Sequence, residues 1–172
     1  MPLHPEPLII IGIDPGTCLT GYGIISYTNA KQTALDFGCI RPPAKSSPSE
    51  KYLIIFESIE ILLDKYKPHA LAVETQFVYK NAQSALKLGI AQGVAIIQAK
   101  QRGLAIFGYS PREVKCAICG TGRASKWQIQ GTVQRELQLK VQPEPEDAAD
   151  ALAIALCHAR ANRSPLHKKK EL

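Results

Sequence analysis

Four carboxylates stand where an acid can do chemistry. Asp14 closes the apolar run Leu8–Ile13, and Glu74 closes a second run, Ala70–Val73. Sites in open α/β sheets form beyond the carboxyl ends of central strands. Asp147 and Asp150 are three residues apart, which puts both on one helical face. Plainer readings remain open for each acid alone. Asp before Pro15-Gly16 can simply start a turn, a strand-end Glu can be merely solvated, and acids in a first helical turn complement the helix dipole. Asp150 fits the last reading poorly, because Ala148–Cys157 is apolar almost all round. An ionised carboxylate in such packing needs a cation or a strong hydrogen-bond network. If all four acids converge, each pair at about 4 Å repels by roughly 4 kcal/mol at an effective dielectric of about 20. Such a group takes up protons or binds divalent cations, and all-oxygen ligation selects Mg²⁺ or Mn²⁺ over zinc. Two hard cations roughly 3.5–4 Å apart form a clamp for phosphodiester hydrolysis.

The elements that must position these acids can be read from apolar runs and capping signals. Leu8–Ile13, Thr20–Tyr27 and Thr33–Arg41 read as three strands joined by short turns in an antiparallel meander. Ser47-Pro48-Ser49-Glu50 is a capping box with proline at the first helical position, and its helix should run to about Lys65. Ala70–Val73 is a further buried strand. Asn81–Arg102 reads as a long helix closed by Gly103, and Leu104–Tyr109 as the last strand. Ser110-Pro111-Arg112-Glu113 repeats the capping signal for a short helix that stops at Gly120-Thr121-Gly122. Ser125 caps another through about Leu139, and a final helix spans about Glu146–Ala161. This order predicts an α/β fold: a five-stranded mixed sheet with helices on both faces.

The chain has 172 residues and a mass of 18.8 kDa, which favours one domain, here 1–162, followed by a frayed basic tail over 163–172. No apolar run approaches the roughly 20 residues of a membrane helix, and the first residues lack signal-peptide features. A soluble intracellular protein with no membrane partner is expected. The five cysteines (Cys18, Cys39, Cys116, Cys119 and Cys157) make an odd count, against a closed disulfide framework. The Cys116/Cys119 pair lacks the partners of a zinc site. His69 and His158 are read as structural.

Charge is unevenly distributed. Residues 80–140 carry ten Lys/Arg against only Glu113 and Glu136, while 141–159 carry Glu144, Glu146, Asp147 and Asp150 and no Lys or Arg. A polyanion held over an acidic, metal-loaded centre would produce that juxtaposition. Lys115, Arg123 and Lys126 surround the loop at Gly120 and Gly122, where backbone N–H groups can approach phosphate. Phe77, Tyr79 and Lys80 follow Glu74, and aromatics beside a lysine can stack on unpaired bases. Arg160, Arg163 and Lys168–Lys170 can add nonspecific phosphate attraction. Ala82, Ala85, Gly89 and Gly93 form a small-residue strip on the long helix, suited to close packing on another backbone, either the chain's own sheet or a second copy.

Over residues 8–160 the sequence resembles the bacterial RuvC-type Holliday junction resolvases. The resemblance is carried by Gly12-Ile-Asp-Pro-Gly-Thr with Thr20-Gly-Tyr-Gly, and by Glu74-Thr-Gln-Phe-Val-Tyr-Lys-Asn-Ala-Gln-Ser-Ala-Leu-Lys-Leu-Gly. It continues through Gln92-Gly-Val-Ala, Val114-Lys115, Gly120-Thr-Gly-Arg-Ala-Ser-Lys and Asp147-Ala-Ala-Asp-Ala-Leu-Ala. It implies a ribonuclease H-like fold and a homodimer that cuts two symmetric strands of a four-way DNA junction with Mg²⁺, two ions per subunit, Mn²⁺ substituting. The family's acidic quartet falls on Asp14, Glu74, Asp147 and Asp150. A junction-opening aromatic falls on Phe77, DNA-contacting lysines on Lys115 and Lys126, and a two-fold contact on the helix carrying Gly89 and Gly93. It further implies a short T-rich cleavage sequence, the RuvA–RuvB branch-migration complex as partner, and a bacterial cytoplasmic location. Thr75 and Gln76 depart from the commonest choices, and Cys116 and Trp127 lie within the basic region. Rival readings are a nuclease acting on structured RNA, a nucleotide-binding module of the actin/sugar-kinase type, and a junction-binding scaffold without catalysis.

Overall fold

The computed structural model describes residues 7–28, 31–75, 82–163 and 171–172. The chain runs β1 (Leu8–Asp14), β2 (Thr20–Tyr27), β3 (Gln32–Ile40), α1 (Pro48–Tyr66), β4 (Ala70–Glu74), α2 (Ala82–Gln101), β5 (Ala105–Tyr109), α3 (Pro111–Cys119), α4 (Lys126–Glu136) and α5 (Glu146–Arg163). The strands form one sheet in the order β3-β2-β1-β4-β5. β1–β2 and β2–β3 pair antiparallel, whereas β1–β4 and β4–β5 pair parallel. The meander and the mixed sheet follow the sequence expectation. So do all three helix starts: Ser47, Ser110 and Ser125 each cap a helix through a complete reciprocal box with Glu50, Glu113 and Gln128.

Alternation along the strands separates two cores. Ile11, Ile13, Leu71 and Val73 face one side, where they pack with Ile55, Ile59 and Leu63 of α1 and Ala91, Ala95 and Ala99 of α2. Ile10, Ile25, Ala72 and Tyr109 face the other, against α3, α4 and α5. On the first side, Arg102 ties α2 to α1: Nε donates to Asp64 at 2.9 Å and a terminal nitrogen to Glu60 at 3.1 Å.

α5 is buried all round, with Ala148–Leu156 almost entirely inaccessible except for Asp150. It can sit so deep because the sheet beneath it carries glycines. A Cβ on Gly12 would lie 2.1 Å from the Ala151 carbonyl oxygen, on Gly21 2.0 Å from that of Asp147, and on Gly23 2.6 Å from the Leu152 nitrogen. Gly12 and Gly23 are register partners on adjacent strands, and Gly21 pairs with Asp14. The three form a track on which the helix backbone rests on the sheet backbone.

One helix end falls short of expectation, and one open alternative is decided. α4 ends at Glu136 rather than near Leu139, because Gln138 adopts a left-handed φ of 53° that breaks the helix. The small-residue strip does not press on the protein's own sheet: no atom lies within 4 Å of a Cβ placed on Gly89 or Gly93. Of the basic tail, 164–170 lies outside the described residues. Leu172 donates its amide to the Ile106 carbonyl on β5 at 2.8 Å, and Glu171 pairs with Lys100 at 3.1 Å.

His158 is structural, as expected. Its Nδ1 lies 2.7 Å from the Tyr109 hydroxyl, its ring stacks on Phe107 at 4.3 Å, and burial lowers it to about 4, so it is neutral at pH 7. His69 accepts the Ile9 amide at Nδ1.

The glycine track has a direct test. Gly12→Ala and Gly23→Ala each force backbone apart and should destabilise by about 2 kcal/mol or more, near the upper range for overpacking. Gly131→Ala, on α4 with open space at its Cβ position, should be neutral or stabilising by up to about 1 kcal/mol. Urea denaturation of the three variants measures both effects.

Candidate active site

Asp14 and Glu74 end neighbouring parallel strands whose last paired residues are Ile13 and Val73. Strands lie about 4.8 Å apart and alternate residues share a face, so both carboxylates project toward α5 alongside Gly12 and Ala72. The Thr20 hydroxyl donates to the Gly16 carbonyl and closes the turn that follows Asp14. α5, seated on the glycine track, brings Asp147 and Asp150 to the same end of the sheet.

Asp14, Glu74 and Asp150 line one cleft of about 300 Å³ together with Lys115, Lys126, Pro111, Val114 and Ile129. Asp147 sits on its β2–β3 flank, where its backbone meets Gly21 and its charge reaches Asp14, Asp150 and Cys39. Capping explains the two lysines: Ser110 starts α3 so that Lys115 falls on its second turn, and Ser125 makes Lys126 the first residue of α4.

Charge crowding is visible in the acids. Burial, then the negative charges of Glu74, Asp150 and Asp147, push Asp14 from 3.8 up to about 8, with Lys126 partly offsetting them. Burial also raises Asp150; Lys126 and Lys115 oppose the rise, while Asp147 and Glu146 reinforce it. Burial and the adjacent Asp147 charge push the Cys39 thiol up to about 11 and keep it protonated. Glu146 accepts from Lys126 Nζ at 2.8 Å and holds that ammonium at the mouth of the cleft.

Among the described residues no three His, Cys, Asp or Glu side chains form a ready-made metal cluster. The donor set nonetheless fits a hard cation: the carboxylates are oxygen donors, they repel, and Asp14 already takes up a proton in place of positive charge. Cys116 is exposed and Cys119 lies 3.8 Å from the Thr132 hydroxyl, so neither enters the site.

Of the loop residues named from the sequence, Gly120 has φ 74° and ends α3 as a left-handed cap, its amide donating to the Cys116 carbonyl. Gly122 lies close to the Arg112 side chain, and Arg123 is exposed. Phe77, Tyr79 and Lys80 lie outside the described residues. Ala82 and Ala85 join Gly89 in lining a separate apolar hollow on α2.

Sequence reasoning did not single out Glu146 as the partner of Lys126, nor the seating role of Gly12, Gly21 and Gly23. The Gly21-x-Gly23 alternation within a strand was the available signal for the latter. Nothing local signalled the former, a contact across 20 residues.

The family model for crossover junction endodeoxyribonuclease RuvC matches residues 10–158. A protein of that name from Protochlamydia amoebophila is 55% identical over 153 residues, covering 89% of this chain and 91% of its own length. One from Marinobacter nauticus is 49% identical over 158 residues, covering 92% of this chain and 89% of its own. The structure described as Thermus thermophilus RuvC in complex with Holliday junction substrate matches with a TM-score of 0.89 and 33% identity, over 96% of this chain and 99% of that one. The yeast mitochondrial Holliday junction resolvase Ydc2, at 16% identity and a TM-score of 0.65, shares the fold. The ribonuclease H-like architecture expected from the sequence is therefore borne out, and the chain belongs to the crossover junction endodeoxyribonuclease RuvC family.

Proposed function

We propose that this protein resolves four-way DNA junctions by paired, symmetric phosphodiester hydrolysis, in recombination and repair. Family membership makes it a metal-dependent nuclease. The observation that carries the site assignment is the gathering of Asp14, Glu74 and Asp150, with Asp147 beside them, against two lysines in one cleft. Asp14, Glu74, Asp147 and Asp150 would hold the cations, which we take to be two Mg²⁺ per subunit, replaceable by Mn²⁺. When bound, such ions lower the pKa of water and neutralise charge on the departing oxygen.

The chain's own groups do the rest. Lys115 and Lys126 flank the carboxylates and can steady the scissile phosphate through charge-assisted hydrogen bonds. Val114, Ile129 and Pro111 supply the apolar part of the cleft lining. Glu146 keeps Lys126 oriented until a phosphate competes for it. Attack by water breaks the P–O3′ bond and leaves a 5′-phosphate and a 3′-hydroxyl that ligase can seal. Phe77, with Tyr79 and Lys80, is proposed to engage unpaired bases at the junction, and Gly120, Gly122 and Arg123 to approach the backbone.

We infer that the working unit is a homodimer. Ala82, Ala85, Leu86, Gly89 and Ile90 line an open apolar hollow of about 420 Å³ on α2. Leu86 is 66% exposed and Ile90 41%, and exposed apolar surface of this kind suits an interface. A two-fold dimer matches a substrate with two equivalent cuts. We assign 1–162 to the nuclease unit and 163–172 to a basic tail. We place the protein in the bacterial cytoplasm, acting with the RuvA–RuvB branch-migration complex.

Removing a ligand should abolish cutting and spare binding. Asp14→Asn or Asp150→Asn should lower the cleavage rate of a synthetic four-way junction in Mg²⁺ by more than about 100-fold, since even groups behind metal ligands are typically worth 10–100-fold. Wild-type-like cutting by either variant would refute the assignment, and faster cleavage of duplex RNA than of the junction would favour the RNA-nuclease reading.

The raised Asp14 sets a second outcome. The folded chain keeps a proton at Asp14 up to about pH 8, whereas the unfolded chain releases it near 3.8. Stability of the cation-free protein therefore falls as pH rises through that window. Asp14→Asn should raise the melting temperature in EDTA at pH 8, and the gain should shrink toward about pH 4. Leu86→Glu should shift the mass in sedimentation from dimer to monomer and uncouple the two nicks.

A further inference from the structure

The chain's single tryptophan, Trp127, is 72% exposed on the first turn of α4. Among the described residues it enters no ring–ring or cation–π contact. A large flat indole with one polar N–H is a side chain suited to an interface, where one face meets a partner. Its place narrows what that partner is. Consecutive Cα atoms are about 3.8 Å apart, and the preceding residue is Lys126, which lines the carboxylate cleft. Trp127 also forms one wall of an open hollow of about 460 Å³ between α3 and α4, with Ile118, Gly131 and Arg135 among its other walls. Gly131, one turn further on, has no atom within 4 Å of its Cβ position, which leaves that side of the hollow open.

The surrounding charge is basic. Arg123, Lys126 and Arg135 lie on or next to α4 and Lys115 on α3; of the nearby acids, Glu136 is paired with Arg160 and Glu146 with Lys126. A polyanion is the complement of that surface. We propose that Trp127 contacts the DNA strand as it leaves the cleft, its indole stacking on a base or deoxyribose that flanks the scissile phosphate. Consecutive helical residues diverge, so Lys126 lines the cleft while Trp127 borders the neighbouring hollow, where a strand held by Lys126 would run on away from the reacting atoms. The contact is tolerant of sequence, because every base offers a π-face. It rests on the junction-nuclease reading and adds to that reading a binding residue away from the reacting atoms.

Because Trp127 is the only tryptophan, its fluorescence reports the contact directly. The full chain is titrated in EDTA with a synthetic four-way DNA junction, and cleavage is followed separately in Mg²⁺ with protein in excess. We expect saturable quenching of the indole, partly relieved by a junction carrying abasic sites beside the cut. Trp127→Ala should weaken junction binding about 5- to 150-fold, the range of one stacked base, while its single-turnover rate at saturation stays within about twofold. Trp127→Phe should restore most of the affinity, and both variants should melt like the wild type. An unquenched indole in a saturated complex that still cuts would overturn the stacking contact and leave the nuclease reading intact. Unchanged affinity of Trp127→Ala, or an altered sedimentation mass that marks the indole as a protein–protein contact, would overturn it equally. A wild-type chain that neither binds nor cuts the junction would remove the nuclease reading on which the contact rests.

Discussion

Backbone-to-backbone contact between α5 and the β1–β2 glycine track governs the rest of the molecule. Gly12, Gly21 and Gly23 leave no side chain of their own between helix and sheet, so the α5 backbone comes directly against the strand backbone there. Asp147 and Asp150 then reach the sheet end where Asp14 and Glu74 emerge. With ordinary strand residues at those three positions the acids would still be on the right elements but at different heights. The site is assembled by removing atoms beneath a helix as much as by placing acids upon it.

That assembly works against itself electrostatically. Burial and mutual repulsion make the ionised state of Asp14 unfavourable in the cation-free chain. The hydrophobic burial of α5 and the two isoleucine-rich cores must hold this arrangement together. Lys115 and Lys126 moderate the imbalance without cancelling it, and Glu146 adds to it. The same surplus of negative charge that costs stability gives the cleft its appetite for positive charge, a pattern common at functional sites.

The fold was largely legible because its signals are local. Three serine capping boxes, the apolar runs ending in acids, and the turn residues after Asp14 each depend on a few consecutive residues, and each was realised. The placement of the four acids at one end of the sheet was legible for the same reason, since strand ends and a three-residue spacing position carboxylates with little long-range information. What escaped was non-local. Gln138 ends α4 with a positive φ that no glycine announces. Glu146 reads as a first-turn acid until Lys126 is seen beside it. Gly89 and Gly93 resemble Gly12 and Gly23 as small residues in regular elements, yet one pair faces open space and the other touches backbone. Only the packing tells them apart.

The two borders of the sheet carry a consequence for assembly. β3 at one border departs from regular pairing opposite Ile24 and Ile25, and at the other the Leu172 amide caps the Ile106 carbonyl of β5. A ladder that is kinked on one side and obstructed on the other is a poor template for a foreign strand. Growth of the sheet into a neighbouring molecule is therefore discouraged at both ends, and the exposed backbone of the sheet is kept out of contacts between molecules.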